Sequence, residues 1–222
     1  MRRERQVLRL PITKAIEPAM PLPLTAIPPA PHENEPCEAT HESAETLALL
    51  ARRRTTKVMH LAEPAPSQTE LEQIIRLAAR VPDHGKLGPW RFVVFAGEAC
   101  ARAGEALARV TDEASRDAAR QYFLRGPLCV MVVSTAATHP KIPEWEQQLS
   151  AGAASFALQL AAHALGFGSC WLTGWPCYNA DARAALGLAE HERIAGFIYL
   201  GTPTETPTER VRADWRTRIS RF

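Results

Sequence analysis

The chain has 222 residues, of which 46% are hydrophobic and 23% charged, and its formal net charge at pH 7 is +2. This composition is typical of a globular protein and argues against a disordered or fibrous chain, while a charge so close to neutral gives no case for nucleic acid binding. No apolar run approaches the roughly 20 residues of a membrane-spanning helix, and no signal-peptide core follows the basic start MRRERQ.

Residues 1–42 differ from the rest of the chain because proline recurs throughout them. Proline lacks a backbone N–H and interrupts both helices and sheets, so we predict a disordered N-terminal tail over residues 1–42. A folded domain is predicted over residues 43–222, where the sequence becomes regular.

Two amphipathic helices come first in that domain. In SAETLALLARRR (43–54) the leucines fall on or near one face, and arginines occupy the last turn, where they complement the helix dipole. In SQTE (67–70) the serine and glutamate have the spacing of a capping box. The apolar residues that follow it recur at i, i+3, i+4, i+7 and i+8, which predicts a helix with one buried face.

Apolar runs and helical patterns then succeed one another. Strands are predicted over 92–96, 128–134, 169–173 and 193–201, and helices within 98–123, over 143–165 and over 181–187. Helices outnumber strands, and the strands are apolar throughout rather than alternating. This pattern predicts an α+β sandwich whose sheet is covered by helices on both faces.

The five cysteines are odd in number and include no CxxC pair, which favours free thiols in a reducing cytoplasm over a disulfide framework. The histidines are scattered and show no zinc-ligand spacing, so we expect no metal site.

Three stretches carry residue types that suit a ligand. The run RRRT (52–55) offers guanidinium groups and a hydroxyl to a phosphate, although a solvated helix end would look the same. Arg80 and His84 flank the loop RVPDHG, which is either a pocket wall or an ordinary turn with a solvated histidine. GFGSCWLTG (166–174) lets backbone approach a ligand, but it is neither a dinucleotide fingerprint nor a phosphate-binding P-loop.

Taken in order, these stretches resemble the FMN-dependent nitroreductase family, and in particular its short bacterial NAD(P)H nitroreductase branch. The resemblance covers residues 45–203 and is carried by RRTTK (53–57), LAEPAP (61–66), AARVPDH (78–84), PWRFVVF (89–95), PEWEQQLSAGAA (143–154), QLAAHALGFGSCWLTG (159–174) and GFIYLGTP (196–203). It implies a three-layer α+β fold with a central, mostly antiparallel sheet, and a homodimer with two FMN sites built from both subunits.

The resemblance also implies which residues hold the cofactors. One chain would contact FMN through Arg53, Arg54, Thr55, Trp171, Leu172 and Thr173, and the partner chain would add Arg80 and His84. The electron donor, NADH or NADPH, would lie against Ala161, Ala162, His163, Ala164, Leu165 and Gly166. The basic residue that the family usually carries near the C-terminus corresponds to Arg210 or Arg212, and the sequence does not decide between them.

The implied activity is hydride transfer from NAD(P)H to FMN and then to a nitroaromatic, a quinone or a similar small acceptor. The flavin performs this chemistry, so no catalytic side chain is expected, and no Ser/His/Asp set with diagnostic spacing is present. Two alternatives remain open: a flavin-fragmenting or dehalogenating enzyme of the same fold, and a non-catalytic FMN or small-ligand binding protein such as a sensor.

Overall fold

The computed structural model describes residues 23–37 and 40–222. Most of the predicted disordered tail therefore lies outside the described residues. Its described part contains one 3-10 helix, Leu24–Ala26, and the carbonyl oxygen of Pro28 accepts a 2.8 Å hydrogen bond from Arg76 Nη2. None of the helices in the described ranges is long and apolar enough to cross a membrane.

The helices and strands follow the predicted order closely. The helices are α1 Ala44–Arg52, α2 Gln68–Ala78, α3 Glu98–Arg109, α4 Arg116–Arg120, α5 Glu144–Ala164, α6 Trp175–Tyr178 and α7 Ala180–Ala185. The strands are β1 Leu61–Ala62, β2 Trp90–Ala96, β3 Leu128–Ser134, β4 Gly168–Leu172 and β5 Arg193–Pro203. The sequence did not indicate β1 or α6.

Local signals account for the two predicted helix starts. The Ser43 side chain accepts a hydrogen bond from the backbone N–H of Thr46 at the start of α1. At the start of α2, Ser67 and Glu70 form the predicted capping box, in which each side chain accepts a hydrogen bond from the other residue's backbone. These contacts satisfy N–H groups that have no partner within the helix, so each helix begins where it was expected.

The sheet is antiparallel at every described pairing. Strand β3 lies between β2 and β5, and β4 pairs with the other edge of β5. The short β1 pairs with the C-terminal end of β5. The predicted α+β class and antiparallel sheet are confirmed.

Helices cover both faces of this sheet, as predicted. Successive residues of β3 alternate between two cores: Val130 and Val132 pack on one face and Met131 on the other. The first core includes side chains of α2 and α5, and the second includes side chains of α3, α4, α6 and α7. Because helices cover both faces of the central strand β3, every residue from Leu128 to Ser134 is buried.

Candidate functional site

A cavity of about 360 Å³ opens where the end of α1, the second half of α5 and the end of β4 meet. It is lined by Arg53, Thr55, Phe156, Gln159, Trp171 and Thr173. Four of these six are residues that the sequence pointed to, and they come from two segments more than a hundred positions apart.

The backbone after α1 accounts for this juxtaposition. The Arg53 N–H donates to the Leu49 carbonyl at 2.8 Å and closes the helix, after which the chain runs extended. The Thr56 N–H then donates to the Ser169 carbonyl of β4 at 3.0 Å. This bond ties the two segments side by side, so Thr55 and Thr173 face the same cavity.

Arg53 lies among other positively charged side chains. Its Nε is buried and has no hydrogen-bond partner, and its guanidinium lies 5.7 Å from the centre of the Phe156 ring. Burial lowers the pKa of the Arg53 side chain, and three neighbouring cations lower it further: Arg212, Arg54 and Arg210. The Arg53 side chain lines the cavity among other guanidinium groups, and this positive charge suits an incoming anion such as a phosphate.

The C-terminal segment brings Arg210 and Arg212 close to Arg53. Arg54 Nε donates to the Thr208 carbonyl at 2.9 Å, and Glu209 is shared by Arg54 at 3.8 Å and Arg212 at 3.0 Å. Both candidate C-terminal arginines therefore lie close enough to act on Arg53. Arg53 itself has no carboxylate within 4 Å among the described residues.

Trp171 provides a flat wall. Its indole Nε1 donates to the Ala195 carbonyl at 3.2 Å, and the ring lies directly against the backbone of β5 at Gly196. A Cβ atom at Gly196 would overlap the indole nitrogen. Glycine is therefore required at this position for the tryptophan to lie flat.

The proposed nicotinamide-binding segment forms the last turn of α5 and the loop after it. Ala161 and Ala162 are buried in the core, whereas Ala164 and Gly166 are exposed. His163 Nε2 lies 2.9 Å from Ser169 Oγ, and burial together with the charge of Arg53 lowers the pKa of His163 to about 4. Its side chain is therefore neutral at physiological pH.

Leu165, the remaining member of that segment, and Leu172 contribute little to the cavity surface. Leu165 packs against the core that includes α2 and α5, and Leu172 packs against the opposite core. Leu172 is partly exposed but does not line this cavity.

A single chain does not bring Arg80 and His84 to the cavity. Arg80 is exposed just after α2, and His84 Nδ1 lies 2.7 Å from Glu146 Oε2 in the first turn of α5. Gln159, which lines the cavity, is on the same helix. At a rise of 1.5 Å per residue, Glu146 and Gln159 are about 20 Å apart along α5.

Residues 50–202 match the family model described as "Nitroreductase family". The chain belongs to the nitroreductase family. "Putative NAD(P)H nitroreductase YdjA" of Escherichia coli (strain K12) is 41% identical over 164 residues, which cover 72% of this chain and 88% of that protein. The predicted family is confirmed.

Solved nitroreductase structures share the fold. A nitroreductase-like family protein from Bacillus cereus superposes with a TM-score of 0.73 at 21% identity, covering 84% of this chain and 99% of that one. A point mutant of the nitroreductase NfnB from Sphigopyxis sp. strain HMH, described as FMN and NADPH-dependent, superposes with a TM-score of 0.60 at 21% identity. The superposition covers 78% of this nitroreductase and 97% of the NfnB chain.

Sequence reasoning missed two residues that line the cavity of this nitroreductase. Phe156 is an apolar residue in a helix that is apolar nearly all round, so nothing in the pattern distinguishes it. Gln159 is a polar residue in the same apolar half, and that interruption was a usable signal.

Proposed function

We propose that this nitroreductase binds FMN and transfers hydride from NADH or NADPH to a nitroaromatic, a quinone or a similar small acceptor, in a ping-pong sequence. The observation that carries the proposal is the juxtaposition in one cavity of Arg53, which has no carboxylate within 4 Å among the described residues, and the flat Trp171 wall. FMN combines a dianionic phosphate with a planar ring, and these two features match the two properties of the cavity. NfnB, a structural neighbour with the same fold, is described as dependent on FMN and NADPH.

The residues of the chain would bind and orient, and the hydride chemistry would be supplied by bound FMN. Arg53 and Arg54, with Arg210 and Arg212 nearby, would hold the phosphate through charge-assisted hydrogen bonds. Trp171 would restrict the ring to one plane. No side chain needs to act as a nucleophile or as a general base for this reaction.

We also propose a homodimer, because apolar side chains form an exposed row on α5. Trp145, Leu149 and Phe156 follow one another at helical spacing and are 67%, 54% and 38% exposed. The leucines that make α1 amphipathic are exposed as well, with Leu47 at 69%. Such rows mark contact surfaces between proteins.

The geometry of α5 supports a shared site. If two copies of α5 cross about a two-fold axis, the first turn of one helix approaches the second half of the other. His84 of the partner subunit, which would be held by the partner's Glu146, would then approach this chain's cavity. This arrangement would account for the position of His84, whose partner Glu146 lies about 20 Å along α5 from Gln159 within one chain. The exposed Ala164 and Gly166 are the positions at which we propose contact with the nicotinamide donor.

The test is flavin binding followed by anaerobic reduction. The purified protein should take up FMN, should elute as a dimer, and should lose flavin absorbance when NADH or NADPH is added without oxygen. A nitroaromatic or a quinone should then restore the absorbance. Protein that remains colourless with excess FMN would refute the proposal, and FMN that neither nicotinamide reduces would indicate a binding protein or sensor.

Variants of the arginine cluster test the phosphate site. Arg53→Ala combined with Arg54→Ala should weaken FMN binding at least roughly 10-fold, since each charge-assisted hydrogen bond contributes about 1.5–3 kcal/mol. Arg102→Ala is the matched control, because Arg102 is an exposed arginine paired with Glu98 on α3. Equal affinity in the double variant and the control would remove Arg53 and Arg54 from the site.

A further inference from the structure

Two glutamines on α5 are almost completely buried, and they differ in their partners. Gln147 is 5% exposed and satisfied at both ends: Nε2 donates to the Ala137 and Ile142 carbonyls at 2.8 and 3.2 Å, and Oε1 accepts from the Ala137 N–H at 3.1 Å. Gln159 is 3% exposed, and its one hydrogen bond is accepted by Oε1 from Ser169 Oγ at 3.4 Å. The burial of Gln147 is therefore accounted for by its hydrogen bonds within the fold, whereas the burial of Gln159 is not.

The two ends of the Gln159 amide differ in their surroundings. The amide nitrogen has no hydrogen-bond partner among the described residues. It is also absent from the set of unpartnered atoms that are sealed from solvent, so it retains some accessible surface. Because the residue lines the Arg53 cavity, the small accessible part of Gln159 must open into that cavity. A buried amide is expected to have its hydrogen bonds made, so an N–H₂ left open in this way points to a ligand atom.

Two neighbours fix the orientation of that amide. The Ser169 hydroxyl oxygen lies 2.9 Å from His163 Nε2 and 3.4 Å from Gln159 Oε1. Its single hydrogen can be donated to only one of these two atoms at a time. When Ser169 donates to Gln159, it must accept from the N–H at His163 Nε2. A neutral imidazole can supply that N–H, and His163 is kept neutral by burial, which lowers its pKa to about 4. This order turns the glutamine oxygen toward Ser169 and its nitrogen toward the cavity.

We propose that Gln159 is a cofactor-binding residue whose amide N–H₂ donates to an oxygen or nitrogen acceptor of bound FMN, with Ser169 and His163 as positioning residues behind it. This inference rests on the proposed function. Gln159 is neutral, so it adds a directional hydrogen bond to the cavity without adding to the repulsion among the arginines.

The test compares FMN dissociation constants of the full chain after FMN has been removed. Gln159→Leu removes the donor and should raise the dissociation constant roughly 10-fold, because an acceptor on FMN then loses its partner in a confined site. Gln159→Glu has nearly the same shape and still accepts from Ser169, but it places a carboxylate in the cavity. It should weaken binding more than Gln159→Leu does.

Thermal unfolding without FMN separates binding from structure. Gln159→Leu should unfold at nearly the wild-type temperature, because Ser169 retains His163 as a partner. The matched control is Ser155→Ala, which removes another buried polar group of α5. Among the described residues, Ser155 Oγ bonds only to the Ala151 carbonyl of its own helix, at 3.0 Å. It should leave FMN binding unchanged.

Three outcomes decide the matter. Weaker FMN binding in both Gln159 variants, with little change in unfolding temperature, supports the inference; if Gln159→Leu does not fold, Gln159→Glu decides alone. Wild-type FMN affinity in both variants would overturn the inference and leave the proposed function intact. Wild-type protein that binds no FMN would overturn both.

Discussion

Acid should destabilise this protein through His163 before it affects most carboxylates. The folded chain holds the pKa of His163 at about 4, whereas the pKa of an unfolded histidine is about 6.5. Between these values the unfolded chain binds a proton that the folded chain does not. The free energy of unfolding therefore rises with pH across this window and falls as the solution is acidified.

The expected size follows from the shift. A difference of about 2.5 pKa units corresponds to at most about 3 kcal/mol when both states are fully titrated. At pH 5 the folded histidine is still largely neutral and the unfolded one is largely protonated. About 2 kcal/mol of the free energy of unfolding should therefore be lost between pH 7 and pH 5.

The assay is urea unfolding of FMN-free protein at pH 7 and pH 5, followed by tryptophan fluorescence at one protein concentration. His163→Gln is the comparison, because glutamine can still bond to Ser169 but does not titrate. The variant should lose less stability on acidification, by about 2 kcal/mol. An equal loss in the wild type and the variant would refute the assignment of the acid sensitivity to His163.

Three further substitutions test the fold and the interface. Gly196→Ala should lower the free energy of unfolding by roughly 1–3 kcal/mol, because the added methyl group overpacks against the Trp171 indole. The same substitution should cost much less in a Trp171→Ala background, and a double-mutant cycle measured by urea unfolding checks this difference. Glu192 accepts two hydrogen bonds from Arg91, at 2.6 and 2.7 Å, and this pairing lowers the pKa of Glu192 to about 2. Glu192→Gln should therefore lower the free energy of unfolding at pH 7 by roughly 2 kcal/mol, as measured by urea unfolding. That contribution should disappear from the wild type as pH falls from about 4.5 to about 2, and a wild type that keeps it would contradict the pairing. Leu149→Glu should yield a monomer in light scattering, whereas an unchanged dimer would remove this face of α5 from the interface.

The fold was predictable where local and global signals agreed. Strand β3 was placed at its observed bounds, 128–134, because a fully apolar run is typical of a central strand. Helix α2 was placed because its capping box and its periodicity indicate the same start. Strand β1 has only two residues and forms by pairing with the distant end of β5, and the four-residue α6 has proline in its first turn. Neither is long enough to show a period.

The site was predictable only in part, for a related reason. Arg53 and Trp171 belong to short stretches whose order along the chain resembles a family, so they were recognised from sequence. The proximity of Arg210 and Arg212 to Arg53 depends on how the C-terminal segment returns to the end of α1 through Glu209, a tertiary contact without a sequence pattern. Gln159 needed the structure to show which end of its amide is already bonded.

The cavity and the exposed row on α5 share a physical property: each is unfavourable in an isolated chain. Arg53 combines a buried donor that has no partner with repulsion from three other guanidinium groups, and Leu149 exposes apolar surface that water solvates poorly. A fold tolerates such costs when binding repays them, since a ligand or partner that binds only the folded state stabilises it by mass action. At a concentration 100 times its dissociation constant, a ligand contributes about 2.7 kcal/mol in this way. The features that destabilise the free chain are therefore the same ones on which the proposed FMN site and the proposed homodimer rest.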